Sequence, residues 1–259
     1  MHDTSRHLRR SLSLAAVAVM VTAMGTASAT AATPPVPQRC SGYVALTFDD
    51  GPNAGNTATL LATLKAAGVR ATLFNIGQNV EANPELARAE VAAGMWLGNH
   101  SWDHPYMTQL STADQLAEIA KTQRIIRQTT GVVPRLFRPP YLDTNDALRA
   151  VEKRFGLTEI NADVDSRDWD NTSTDQIVAN AQQLQAGGVI LMHDWPPNTI
   201  AAIPRIVADL HARGLCAGMI SPRTGKAVAP CGLPVHPRQA SDASWPADER
   251  SAGLPAARS

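Results

Sequence analysis

Two histidines four residues apart, in His100-Ser101-Trp102-Asp103-His104, and two adjacent aspartates, Asp49-Asp50, are the side chains of this sequence best suited to chemistry. On one turn of helix or in a tight loop, an HxxxH spacing turns both imidazoles toward a common point, as a divalent metal site requires. An isolated HxxxH is more often a pair of surface histidines, so its company decides. Beyond the N-terminal leader the histidines are His100, His104, His193, His211 and His236. His211 falls inside a helical pattern and His236 in a polar tail, and both read as ordinary solvated residues. Two histidines with one carboxylate leave coordination positions open for water and substrate, which is the catalytic rather than the structural pattern. Asp49 or Asp50 can supply that carboxylate, and the other is then free to take a proton. His193 is a natural general acid. Asp168 can orient it through a hydrogen bond, and Arg138 can hold the basic aspartate. Together these residues describe a metal-assisted hydrolase. A zinc peptidase of the HExxH kind would carry Glu after the first histidine, where this chain has Ser101.

Such a set works only if the chain brings it to one place. Strand-like apolar runs cover 43–48, 71–74, 95–97, 157–160, 189–192 and 215–220, with a shorter one at 136–137. Between them lie helical patterns at 56–67, 84–94, 111–131, 145–155, 173–184 and 198–213, most of them stopping at a glycine. Strand-then-helix repetition implies a parallel sheet, and periodicity alone does not say whether the sheet is open or closed into a barrel. In a β/α repeat, catalytic residues belong after the C-terminal ends of strands. Asp49 and Asp50, His100 and His104, Arg138, then Asp163, Asp165 and Asp168, and finally His193 and Asp194 all follow strand-like runs. They are expected at one rim.

The remaining sequence sets the context. Formal charge is balanced, with 23 basic and 23 acidic residues in 259, so no global field gathers nucleic acid or an anionic membrane. Residues 1–31 read as a secretory signal peptide: Arg9-Arg10, an apolar run from Leu12 to Met24, and small residues at Ala27-Ser28-Ala29 and Ala29-Thr30-Ala31. The apolar run is broken by Thr22, Gly25 and Thr26, short of the about 18 or more residues that a membrane span needs. The paired arginines leave the choice of export route open. The chain is therefore expected outside the cell, without a stable membrane anchor, and as a monomer. Residues 32–39 form a short linker, 40–227 the catalytic domain and 228–259 a disordered tail. The composition turns rich in Pro, Ala, Ser and Arg from Ser221 onward. Of Cys40, Cys216 and Cys231, a Cys40–Cys216 disulfide would join the two ends of the domain in an oxidising compartment, although three cysteines do not settle a pairing.

Thr47-Phe48-Asp49-Asp50-Gly51-Pro52, His100-Ser101-Trp102-Asp103-His104, Arg138-Pro139-Pro140-Tyr141, Asp165-Ser166-Arg167-Asp168-Trp169 and Leu191-Met192-His193 stand in this order along the chain. They resemble the five motifs of the polysaccharide deacetylases of carbohydrate esterase family 4, the NodB-homology family. The resemblance spans roughly residues 40 to 227, and the stretches around the second and fifth motifs are most similar to secreted actinobacterial acetylxylan esterases. It implies a distorted, incomplete (β/α) barrel and a divalent metal, zinc or else cobalt. It further implies Asp49 as general base and Asp50, His100 and His104 as metal ligands. His193 is implied as the acid that protonates the departing sugar atom, with Arg138 and Asp168 positioning the two. The backbone N–H of Tyr141 would stabilise the oxyanion, and Trp169 and Leu191 would form the pocket for the acetyl methyl.

The implied substrate is an acetylated polysaccharide, either xylan O-acetyl esters or N-acetylglucosamine polymers such as chitin and peptidoglycan. The two carry the same carbonyl, so the motifs do not separate them. A sugar-binding protein on a degenerate version of the scaffold would lack a ligand or an acid, and none is missing here. Two departures from the family pattern stand out: Leu142 where a glycine is common after Pro-Tyr, and Ala162 where close relatives often carry an aromatic.

Overall fold

The computed structural model describes residues 40–230, and the expectations for the signal peptide, the linker, Cys231, His236 and the tail beyond 230 lie outside those residues. Strands β1 (Gly42–Gly51), β2 (Thr72–Asn75), β3 (Trp96–Asn99), β4 (Leu136–Phe137), β5 (Thr158–Glu159), β6 (Val164–Asp165), β7 (Val189–His193) and β8 (Leu215–Ala217) form one sheet. Its order is β5-β4-β3-β2-β1-β7-β6, with β8 beside the start of β1, and every pairing is parallel. The crossovers are helices α1 (Thr57–Ala66), α2 (Gly77–Ala82), α3 (Pro84–Ala92), α4 (Thr112–Thr130), α5 (Asp146–Arg154), α6 (Thr174–Ala181) and α7 (Pro197–Ala212).

The topology forces the sheet to curl. Strands β5 and β6 are the two ends of the path, yet they follow one another in the chain from Glu159 to Val164. Those residues can be at most about 18 Å apart along the backbone. Seven strands laid flat at normal spacing would set the edges about 29 Å apart. The edges must bend toward each other, and the result is the incomplete barrel that the family resemblance implies.

Strand alternation then sorts the side chains. Val44, Leu46, Phe48, Leu73, Ile190 and Met192 point outward into the main core beneath α1, α6 and α7. Ala45, Phe74 and Val189 point into the curl, where Ile220 and Ala227 join them. With both faces buried, the strands read as continuous apolar runs. Thr47 and Asp49 share the phase of Ala45, while Leu191 and His193 share that of Val189, so the inner face becomes chemical as it nears the rim.

Three local differences from the sequence reading have physical causes. Helix α2 has six residues, too few to show helical periodicity, and β6 has two. The compositional break at Ser221 does not end the fold: β9 (Met219–Ile220) and β10 (Ala227–Val228) pair as a hairpin whose Ala227 is buried against the inner cluster. Cys40 and Cys216 are disulfide-bonded with Cα atoms 5.6 Å apart, tying the entry to β1 onto β8.

Candidate active site

Adjacent residues of a regular strand face opposite ways, so Asp49 and Asp50 should diverge. They do not, because β1 bulges between them. Asp49 pairs with Phe74 and Gly51 with Asn75, which leaves Asp50 as an extra residue with φ of 72°. A bulge of this kind re-aims a side chain, and here it turns both carboxylates to the rim. The Asn79 amide in α2 donates to the Asp50 carbonyl at 2.7 Å and holds the bulge. The strand bulge is what brings the two acids together.

His100 and His104 lie in a loop after β3. Left-handed backbone at Ser101 (φ 64°) and His104 (φ 65°) coils it tightly. Its amides are all spoken for: Ser101 N–H donates to Asn99 Oδ1 at 2.9 Å, His104 N–H to Ser101 Oγ at 3.0 Å, and Trp102 N–H to Glu118 Oε2 at 2.8 Å. His100 Nδ1 donates to the Arg138 carbonyl at 2.7 Å. That bond fixes the tautomer, so the neutral ring turns the Nε2 lone pair inward. His100 Nε2 and His104 Nε2 each stand 3.5 Å from Asp50 Oδ1. This oxygen is buried and has no hydrogen-bond partner among the described residues.

Three acceptor atoms aimed at one another call for a cation. Tetrahedral zinc with bonds of about 2.0–2.1 Å needs donors about 3.3 Å apart, close to the spacing found, and Asp50, His100 and His104 form the metal-ligand cluster found among the described residues. The donor set fits a divalent ion.

Asp49 flanks this cluster, with Oδ2 4.0 Å from His100 Nε2. Its Oδ1 accepts from Arg138 Nη1 at 2.7 Å. Arg138 is wholly buried, donates also to Thr47 Oγ1 at 2.7 Å and to the Ile160 carbonyl at 3.2 Å, and lies over the Phe74 ring. It thus ties β1, β4 and the end of β5 together across the curl. On the other side, His193 Nδ1 donates to Asp168 Oδ1 at 2.7 Å, and Asp168 Oδ2 accepts from the His193 amide and from Thr199 Oγ1. Burial disfavours the imidazolium, but the Asp168 hydrogen bond and charge, aided by Asp49 and Asp50, raise the His193 pKa to about 9. Its Nε2 faces the cleft, 3.9 Å from Asp50 Oδ2.

A polysaccharide deacetylase family model matches residues 37–160. A family 4 carbohydrate esterase from Streptomyces lividans, solved in complex with acetate, is 59% identical over 74% of this chain and 99% of that chain, with a TM-score of 0.73. The chain belongs to this family of polysaccharide deacetylases. A bifunctional xylanase/xylan deacetylase of Cellvibrio japonicus is 44% identical over 74% of this chain and 29% of its own length. The peptidoglycan-N-acetylglucosamine deacetylase PgdA of Listeria monocytogenes is 37% identical over 70% of this chain and 39% of its own. The chain thus spans only about a third of the length of these curated relatives.

The deacetylase fold gathers Asp49, Asp50, His100, His104, Tyr141, Trp169, Leu191 and His193 around one cleft of about 450 Å³. Arg138 and Asp168 stand behind Asp49 and His193. Leu191 is buried at the cleft floor, whereas Trp169 is 49% exposed and belongs to the rim, not to the core. Tyr141 and Leu142, both with positive φ, form one wall. Two rim candidates drop out. Asp163 lies at the opposite end of the sheet, accepting from the Val189 amide. Asp194 turns away from the cleft to accept from Thr57 Oγ1 and the Asn53 amide. Glu118, Asn99, Asn79 and Trp195 support or line the site and were not singled out from sequence. The only sequence signal for Glu118 was an acid on the buried side of a long amphipathic helix.

Proposed function

We propose that the chain is a secreted, divalent-metal-dependent polysaccharide deacetylase that hydrolyses O-acetyl esters of xylan. The observation that carries the reading is Asp50 Oδ1, without a hydrogen-bond partner among the described residues, between two inward-facing imidazoles, with Asp49 on one side and His193 on the other. Asp50, His100 and His104 would hold the ion, zinc first and cobalt second. The ion when bound supplies a Lewis acid that activates water and polarises a carbonyl.

The protein's own groups divide the remaining work. Asp49 takes the proton from the attacking water, and Arg138 holds its carboxylate in line. The Tyr141 backbone N–H donates to the oxyanion that forms on the acetyl oxygen, a contribution usually among the largest in acyl transfer. His193, protonated at Nε2, gives its proton to the sugar oxygen as the acyl bond breaks. Asp168 keeps it in the tautomer and orientation for that step. Trp169 and Leu191 receive the acetyl methyl. The xylan preference is supported by the greater identity to the Streptomyces esterase and the xylan deacetylase than to the peptidoglycan deacetylase. Secretion is supported by the leader at residues 1–31 and by the Cys40–Cys216 disulfide.

Acetate release from acetylated xylan, N-acetyl chitooligosaccharides and peptidoglycan, measured side by side on zinc-loaded protein, tests the proposal. Release from xylan at the highest kcat/KM is expected. Release only from the N-acetyl substrates would overturn the xylan preference in favour of the N-deacetylase reading. Metal binding without release from any of them would favour a sugar-binding role for the same scaffold.

A further inference from the structure

The two oxygens of Asp50 have different surroundings. Oδ1 faces His100 and His104, while Oδ2 accepts a hydrogen bond from Trp195 Nε1 at 3.1 Å. The imidazole near Oδ2, that of His193, is 3.9 Å away and too far to hydrogen-bond. A carboxylate's terminal torsion is broad and roughly two-fold, so an aspartate in a bulge does not by itself present one chosen oxygen. A donor on the second oxygen makes the choice.

Trp195 is itself held in place. Its carbonyl accepts from the Asn56 side chain, while its neighbour Asp194 accepts from the Asn53 amide and Thr57 Oγ1. The segment following His193 is thereby laced to the segment following Asp50, and the circuit closes through the indole. The ring also tilts against His193, with centroids 5.6 Å apart, while remaining 38% exposed at the cleft edge. A tryptophan serving only as an apolar wall would not need its N–H aimed at a carboxylate.

We propose that Trp195 is a positioning residue for the metal centre, fixing Asp50 so that Oδ1 alone points at the ion. The inference rests on the metal reading given above. Trp195→Phe removes the donor and keeps an aromatic ring. Loss of an outer partner of a metal ligand typically weakens binding about 10–100-fold, and the lower end fits a half-exposed indole.

Chelator-competition titration with Zn²⁺ and the visible spectrum of the Co²⁺-loaded protein give readouts independent of turnover. Trp195→Phe is expected to weaken Zn²⁺ binding about tenfold and to alter the Co²⁺ bands. Trp169→Phe, whose indole N–H donates to Asp165 at 3.3 Å, should leave both unchanged. Should the Trp195→Phe substitution compromise folding, Asn56→Ala loosens the same circuit with the indole intact, and a few-fold loss of Zn²⁺ affinity is expected. Wild-type affinity and spectrum in the folded variant overturn the inference and leave the metal reading standing. Failure of the wild type to bind either ion overturns both.

Discussion

Before β4 and β5 the chain leaves α4 and α5 through Gly131 and Gly156, with φ of 76° and 64°, and nothing lies within 4 Å of where a side chain would begin. Gly68, Gly94, Gly187 and Gly214 make the same left-handed step ahead of β2, β3, β7 and β8. At the other end of the sheet the left-handed positions are Asp50, Ser101, His104, Tyr141, Leu142, Arg167 and Asn171, with φ between 55° and 72°. Each non-glycine residue held there costs about 1–2 kcal/mol. Glycine could relieve that cost, but at Asp50, His104, Tyr141 and Leu142 only by giving up the carboxylate, imidazole or wall that the bend presents. The base of the sheet turns without strain, and the rim turns where side chains must converge.

The contrast makes the base a matter of stability and the rim a matter of turnover. The largest effect should come from Asp49→Asn. It keeps shape and metal ligands but removes the base, so kcat for acetyl release should fall about 10³-fold or more while Zn²⁺ affinity holds. Asp50→Asn should do the reverse in kind, weakening Zn²⁺ binding first. Turnover close to wild type in Asp49→Asn would break the assignment of the two acids.

At the base, Cys40→Ser with Cys216→Ser removes a link across 176 residues of chain. A loss of about 2–5 kcal/mol in urea unfolding is expected, with kcat in the surviving folded protein unchanged. A comparable loss of kcat with little loss of stability would show that the two ends of the sheet are not separable.

These regions also differ in how far the sequence disclosed them. Glycines ending helical patterns are visible as letters, so the order of strands and helices could be read, and the five motifs supplied the cleft residues. The bulge at Asp50 could not be read, because a left-handed aspartate looks like any aspartate beside Gly-Pro. Nor could the inner phase of Leu191 against the outer phase of Met192, since strands buried on both faces show no alternation. Asp163 was misplaced because β6 is too short to show where one strand ends and the next begins. Trp195 passed unnoticed because its role depends on a hydrogen bond to a residue 145 positions away.

A pH profile sharpens the rim side. His193 must be protonated to act as acid, so activity is present below its pKa and lost as pH rises through it. Asp168 is the principal group raising that pKa toward about 9. Asp168→Asn removes the anion that stabilises the imidazolium, so the alkaline limb of kcat should move to lower pH. Mispositioning of the ring should add a drop of about 10–100-fold at the optimum. An alkaline limb that stays in place would assign the proton to another group.

The smallest effects compare one left-handed residue from each region. At Gly156 an added Cβ meets nothing, so Gly156→Ala carries the left-handed backbone cost of about 1–2 kcal/mol less the about 0.5–1 kcal/mol contributed by the freedom that the unfolded chain loses. Melting temperature should fall by about 2–4 °C per kcal/mol, with kcat unchanged. Leu142, at φ 55° on the cleft wall, is the mirror case. Leu142→Gly relieves the left-handed strain but gives the unfolded chain more freedom, about 0.5–1 kcal/mol of opposing effect. The net gain is about 1 kcal/mol at most, and the melting temperature should rise by no more than about 4 °C. What changes is the cleft: its wall recedes beside Tyr141, so kcat/KM should shift more for a polysaccharide than for a small acetyl ester, by less than tenfold. A large gain in stability with no change in substrate discrimination would mean that Leu142 is tolerated strain, and that not every bend at the rim serves the site.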